Sequence, residues 1–427
     1  MRRTHFMALM AAATVLANPA MAQETVAITG ATIYPVSGPK LENATIVLSD
    51  GVISAIGTGV AIPANARRID AAGKWITPGL VATATSLGVV EIGAVADTRD
   101  QRARGKDNVA AAFRVWDALN PHATTLPVAR QDGGITTAGI MPSGGLVAGL
   151  GAVIDLREGA PVEAMIRKAP AAMVATLDNA AAASSGSRAE ALGRLRTLLR
   201  DAREFNIARA RYDAGSMREL SATRADLDAM QLVLRGTVPL VIAADRASEI
   251  LNAISIGKDF AGVRVVIAGG AEAWSVASQL AAAKVPVMTG AMNNIPESFN
   301  ALGQRQENLA LLRAAGVQVA ILGNGAGGEE NFNVRNLRYE AGNAVAYGMS
   351  WDDALRAITL SPAEILGVSD RVGSLAVGKA ANLVVWSGDP FEYATVPEHV
   401  FVAGRDTRVL TRQDQLTARY RTLPVKY

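Results

Sequence analysis

Eight short apolar runs divide the middle of this chain, at residues 80–85, 135–140, 152–155, 171–176, 239–243, 263–268, 285–289 and 317–322. Runs of this length bounded by turn residues read as buried strands, and helical patterns separate most of them. That alternation predicts a (β/α)8 TIM barrel in preference to an open doubly wound sheet. The clearest helix covers 188–212, where Leu192, Leu195, Leu199, Ala202 and Phe205 recur three or four apart with arginines on the other face. The preceding "NAAAASSGSR" reads as a flexible connector.

The two ends have a different texture. "VAITGATIYP", "ATIVLSDGVISAIG" and "ARRIDAAGKWI" alternate β-branched with small residues, and "GSLAVGKAANLVVWSGDP" and "HVFVAGRDTRVL" return to that pattern near the C-terminus. β-rich ends around an α/β middle predict a barrel inserted in a small β-sandwich domain built from both chain ends. The expected division is a signal peptide over 1–22, the first part of the sandwich over 23–76, the barrel over 77–368 and the rest of the sandwich over 369–427.

Residues 1–22 read as a targeting segment. Arg2 and Arg3 precede the apolar "FMALMAAATVLA", and "AMA" at 20–22 is a small-x-small cleavage signal, so cleavage is expected after Ala22 by the general secretion route. This predicts a periplasmic or secreted protein. No cysteine is present, which removes disulfides and thiol nucleophiles, and no later segment has transmembrane length. Without Arg2 and Arg3, forty basic side chains face 39 acidic ones. Near-neutral charge with scattered basic residues argues against nucleic-acid and membrane-surface partners.

"IVLSDGVISAIGTGVAIPANARRIDAAGKWITPGL", "GGITTAGIMPSGGLVAGLGAVIDL", "GMSWDDALRAITLSPAEILGVSDRVGSLAVGKAANLVVW" and "VFVAGRD", in this order and spacing, resemble the amidohydrolase superfamily and, within it, the secreted imidazolonepropionase-like group. The resemblance implies hydrolysis of non-peptide C–N bonds in cyclic or small amides, with one or two divalent metals, zinc among them, at the C-terminal mouth of the barrel. A bound divalent ion lowers the pKa of its water and polarises the carbonyl under attack. The ligands that the resemblance implies are a His-x-His after the first strand, single histidines after the fifth and sixth, and an Asp after the eighth.

Carried onto this chain, those positions hold other residues. Ala84 and Ser86 stand at the His-x-His, with Ala82 where an Asp commonly precedes it. Ala243 stands at the fifth-strand position, Gly269 at the sixth, and Asn324 and Gly325 span the position of the Asp. Only His5, His122 and His399 occur, and His5 lies in the targeting segment. The reading is therefore that no cofactor is held and that the family's zinc is absent. Asp97, Asp100, Asp245, Glu272, Glu329 and Glu330 are the carboxylates close to strand ends that a carboxylate-only site would need. Ser86 has no histidine placed to activate it, so a Ser-His-Asp arrangement is excluded.

The pocket candidates are Thr85, Ser86, Glu91, Asp97, Arg99, Asp245, Glu272, Asn293, Asn324 and Arg335. Thr85 and Ser86 equally read as strand-end hydroxyls. Glu91, Asp97, Arg99, Asp100 and Arg102 equally read as an ion-pair network ordering the loop after the first strand. Asn293, Asn324 and Arg335 lie in the Asn-rich loops 289–300 and 323–336. Three functional readings follow. The first is a degenerate, metal-free pseudoenzyme with a binding or partner role, as a homo-oligomer or beside an active paralogue. The second is an active hydrolase of small amides or peptide-like compounds with a non-standard site. The third is a periplasmic module that binds a small molecule.

Overall fold

The structure, a computed structural model, describes residues 24–103, 105–106, 108–292, 296, 299–323, 333–408 and 412–421. The expected targeting segment, and the cleavage expected after Ala22, lie outside the described residues. Five strands open the chain: β1 (Val26–Ile33), β2 (Leu41–Ser49), β3 (Val52–Gly57), β4 (Arg67–Asp70) and β5 (Trp75–Pro78). Eight follow in the middle: β6 (Leu80–Thr85), β7 (Ile135–Ile140), β8 (Val147–Asp155), β9 (Ile166–Thr176), β10 (Leu240–Ala244), β11 (Val265–Gly269), β12 (Val287–Thr289) and β13 (Val319–Ile321). The last three are β14 (Leu383–Trp386), β15 (Pro397–Val402) and β16 (Arg405–Asp406).

The middle strands form a nearly closed eight-stranded barrel in sequential order, one strand for each apolar run. One strand breaks the parallel rule: β8 is antiparallel to both β7 and β9. Parallel neighbours need a crossover of a dozen or more residues, whereas residues 141–146 are only long enough for a return turn. Gly144 and Gly145 supply its left-handed backbone, at φ 93° and 71°. The barrel is therefore the predicted fold with a β7–β8–β9 meander set into it.

Side chains of the barrel strands alternate as the pleat requires. Leu240, Ile242 and Ala244 face the outer helices, while Val241 joins Val266, Met288 and Ala320 in the lumen. Ala363, Ile365 and Leu366, on the helix Leu360–Leu366, join the lumen cluster and close the barrel at the N-terminal ends of its strands. The helix Arg188–Ile207 buries Leu195, Leu198, Leu199, Ala202 and Phe205, and Ser187 caps it by accepting from the Glu190 amide. The expected connector before it is instead a short helix, Asn179–Ser185, capped by Asp178. Among the described residues no helix is long and apolar enough to cross a membrane.

The chain ends share one eight-stranded sheet, in which β14 from the C-terminal part pairs with β5 from the N-terminal part. The sheet folds over a core that includes Ile28, Ile33, Ile46, Ile53, Leu383 and Phe401, so the sandwich is built from one continuous sheet. Trp386 fastens it to the barrel. Its indole Nε1 donates to Thr77 at 2.9 Å, and its ring occupies the space beside Gly134. A β-carbon at 134 would stand 2.5 Å from that ring.

Candidate functional site

The strand β6 ends where the chain passes from a pleated, buried run into turns, and its hydroxyls divide into two kinds. Thr85 is committed to the scaffold: its Oγ1 donates to the Gly139 carbonyl at 3.0 Å, joining β6 to β7. The hydroxyls of Thr83 and Ser86 are buried and have no hydrogen-bond partner among the described residues. Ala84 presents a methyl group to the lumen beside Val174 and Ala268. On β10, Ala243 takes the inward alternation set by Val241.

Carboxylates gather just beyond β9, β10 and β11. Glu249 is buried and bound on several sides. Arg188 Nε donates to it at 2.6 Å, the amides of Asp245 and Arg246 donate at 3.0 and 3.1 Å, and Asn300 Nδ2 donates at 3.4 Å. The guanidinium of Arg188 also donates to the side chains of Asn179 and Asn300, so one cation binds three segments together. Glu272 is committed in a similar way, accepting from the Ala247 amide at 2.9 Å.

Asp245 is half-buried and has no counter-ion among the described residues. Burial pushes its carboxyl up to about 6, opposed by the amides of Ala271 and Gly270 and reinforced by the charges of Asp178 and Glu249. Asp178 is raised as well, first by burial and then by the charge of Glu249, against the Ala180 and Ala181 amides. Gly269 makes room for this arrangement. A β-carbon at 269 would stand 2.5 Å from Oδ1 of Asp245, and the φ of +91° disfavours any side chain there.

The remaining predicted residues do not join this group. Glu91 accepts from Asn120 Nδ2 at 3.0 Å, which ties the loop after β6 to the segment ahead of the helix Thr125–Gly133. Asp97 and Arg99 are exposed. Asp97, Arg99, Asp100 and Arg102 form no ion pair among the described residues, so the expected charge network is not what orders the loop. Thr98 does that, with its Oγ1 bonded to the backbone of Ile92 and Val95. Arg335 turns to Asp132, 3.9 Å away at the end of the helix Thr125–Gly133, and its backbone packs on Gly133. Asn293, Asn324, Gly325, Glu329 and Glu330 lie outside the described residues.

Asp245 and Glu272 are thus the predicted polar residues that meet, and Asp178, Arg188, Glu249 and Asn300 complete their surroundings. These four carry no sequence motif. The nearest signal is an acid within two residues of a strand's end, at Asp178 and again at Asp245. Neither of the histidines among the described residues joins this group. His122 is exposed in the loop before its helix, and His399 pairs with Asp406 in the end sheet at 2.6 Å. No group of three His, Cys, Asp or Glu among the described residues could hold a metal ion. The donors present here, capped by amides and Arg188, do not fit a divalent ion. They form a hydrogen-bonded acidic group at the strand ends of the barrel.

Comparison with known proteins agrees with the architecture. A sequence profile of the amidohydrolase family matches residues 41–411. The crystal structure of an amidohydrolase from Thermotoga maritima superposes with a TM-score of 0.80 at 28% identity, covering 90% of this chain and 99% of the other. An imidazolonepropionase of Sphingopyxis alaskensis is 42% identical over 50 residues, 12% of this chain and 12% of its own length. The amidohydrolase tasK of Hapsidospora irregularis is 33% identical over 72 residues, 17% of this chain and 7% of its own length. The chain therefore spans only a small part of these two curated relatives.

Proposed function

Since this chain belongs to the amidohydrolase family, we propose that it keeps the family barrel as a small-molecule-binding protein of the secreted compartment and has given up metal-assisted hydrolysis. The observation that carries this reading is the content of the strand ends. Ala84, Ser86, Ala243 and Gly269 stand where the resemblance implies histidines, and the space beside Gly269 is taken by Asp245. Amide hydrolysis by unaided water is extremely slow, and its acceleration needs an activated nucleophile and stabilisation of the oxyanion. The lumen offers methyl groups for an apolar body, and Asp178 and Asp245 offer hydrogen bonds to a polar end. Residues 1–22 support export, and the partner role extends to a second copy or an active paralogue.

A second reading rests on Asp245 alone. A carboxyl that titrates at about 6 is suited to general acid–base work near neutral pH. On that reading the chain is a metal-free hydrolase of small cyclic amides. One experiment separates the two: metal content of the purified mature protein, with amide turnover measured with and without chelator. Stoichiometric zinc, or turnover that chelator abolishes, overturns both readings. Turnover that survives chelator and is lost in Asp245→Asn selects the second.

A further inference from the structure

The geometry points to a second ligand site at the opposite end of the barrel, which we propose binds a small organic carboxylate with an apolar body. A cavity of about 370 Å³ opens where β10, β11, β12 and β13 begin. That is within the range of small-molecule sites. Part of its wall is apolar, from Pro239, Ile254, Val285, Pro286 and Ile365, and the rest is polar. Three cations line it: Lys258 at the end of the helix Ala247–Asp259, Arg264 ahead of β11, and Lys284 ahead of β12.

None of the three has an ion-pair partner among the described residues. The acid that shares the cavity, Glu364, is already engaged, accepting from Arg356 and from Gln318 at 2.7 Å each. Asp259, next to Lys258, is paired with Arg196 at 3.1 Å. The positive potential extends further. Lys168, which donates to the Leu366 and Gly367 carbonyls, is near enough to Arg264 for that charge, after burial, to depress its pKa. Arg264 is also oriented in advance: its Nε donates to the Gly236 carbonyl at 3.0 Å, which fixes the plane of the guanidinium and leaves its two terminal amino groups for a carboxylate. An apolar stretch of wall together with one oriented guanidinium and two further exposed cations lining the same cavity matches one carboxylate on an aliphatic or aromatic body.

The test is isothermal titration of the full mature chain with benzoate, and with benzyl alcohol as the uncharged probe of the same shape. The expected result is saturable benzoate binding that weakens with added salt and falls by about tenfold or more in Arg264→Gln and in the double variant Lys258→Gln/Lys284→Gln. Benzyl alcohol binds more weakly than benzoate. Far-ultraviolet circular dichroism confirms that the variants are folded, and the lysine pair, which carries no structural bond, covers the case in which Arg264→Gln is not. Lys40→Gln, a charge-removing control beside the end sheet, leaves the binding unchanged, whereas Asp245→Asn reports benzoate bound at the other end of the barrel instead. The absence of benzoate binding by the wild-type chain, binding that both basic variants retain, or binding lost only in Asp245→Asn each overturns the proposal.

Discussion

The carboxylate of Asp245 occupies the volume that a side chain at Gly269 would need, with Oδ1 2.5 Å from the position of a β-carbon there. The two residues are therefore linked: the half-buried acid after β10 leaves room only for glycine at the end of β11. Gly269→Ala meets both this contact and a backbone held at φ +91°, and it is expected to destabilise the fold by about 1–3 kcal/mol. In an Asp245→Ala background the contact disappears and only the backbone strain remains. Urea unfolding of the four proteins of this double-mutant cycle should give a smaller penalty for Gly269→Ala in the second background. Equal penalties in both would show that the carboxylate does not constrain position 269.

The same carboxyl should make stability fall as pH rises. Its folded pKa of about 6 lies above the ordinary 3.8, so the native state holds its proton more tightly than the unfolded chain does. That preference is fully present below about 3.8, is lost progressively as pH rises to 6, and is gone above it. After allowance for solvent at a half-buried group the loss is about 1–2 kcal/mol. Asp178, also raised, adds a contribution of the same sign. Unfolding followed between pH 4 and 8 should show Asp245→Asn with a flatter profile than wild type and greater stability at the alkaline end. A steeper profile in the variant would contradict the assignment.

The barrel was legible because burial on both faces makes each strand a short apolar run, and every run became a strand. The reversed direction of β8 was hidden by that same signal, since an apolar run has no polarity. Only the shortness of 141–146 and its paired glycines encode the return. At the site, Ala84, Ala243 and Gly269 could be set against the pattern that the resemblance implies, whereas the Arg188–Glu249–Asn300 group had no such guide. Its members come from three segments far apart in the chain, and no local spacing records a meeting of that kind. Arg335 shows the converse: a loop position suggested a ligand clamp, and packing on Gly133 turned it to Asp132.

Arg188 should carry the integrity of the acidic group. Glu249 is buried with its charge, and removal of its cation leaves that charge with amide donors alone. Arg188→Ala is expected to cost about 2–4 kcal/mol, because an uncompensated buried carboxylate is strongly unfavourable. Arg188→Lys should recover only part of this, since a single ammonium cannot reproduce a planar fork that serves Glu249, Asn179 and Asn300 together. Adding Glu249→Gln to Arg188→Ala removes the buried charge and should restore stability relative to Arg188→Ala alone. Thermal unfolding of the series checks this, and no recovery in the double variant would place the cost in lost packing.

Asn382 should couple the end sheet to the barrel. Its Nδ2 donates to Thr137 Oγ1 at 3.2 Å and to Asp155 Oδ1 at 3.3 Å, while its Oδ1 accepts from the Ala403 amide at 2.7 Å. Asp155 is buried and is held at the same time by Thr137 Oγ1 and by Arg167. Asn382→Ala leaves the Ala403 amide without a partner and removes one hydrogen bond accepted by Asp155, at a cost of about 2–3 kcal/mol. Asn382→Asp keeps the shape and the acceptor for Ala403 but sets a second carboxyl against Asp155. At neutral pH it should therefore be the more damaging of the two substitutions. As pH falls, the new carboxyl takes up a proton in the native state before it does so in the unfolded chain, and it regains a donor for Asp155. The penalty of Asn382→Asp should thus shrink on acidification while that of Asn382→Ala stays constant. Urea unfolding of both variants at pH 5 and pH 8 measures this, and parallel behaviour of the two would show that Asn382 acts by shape and not by its donated hydrogen bonds.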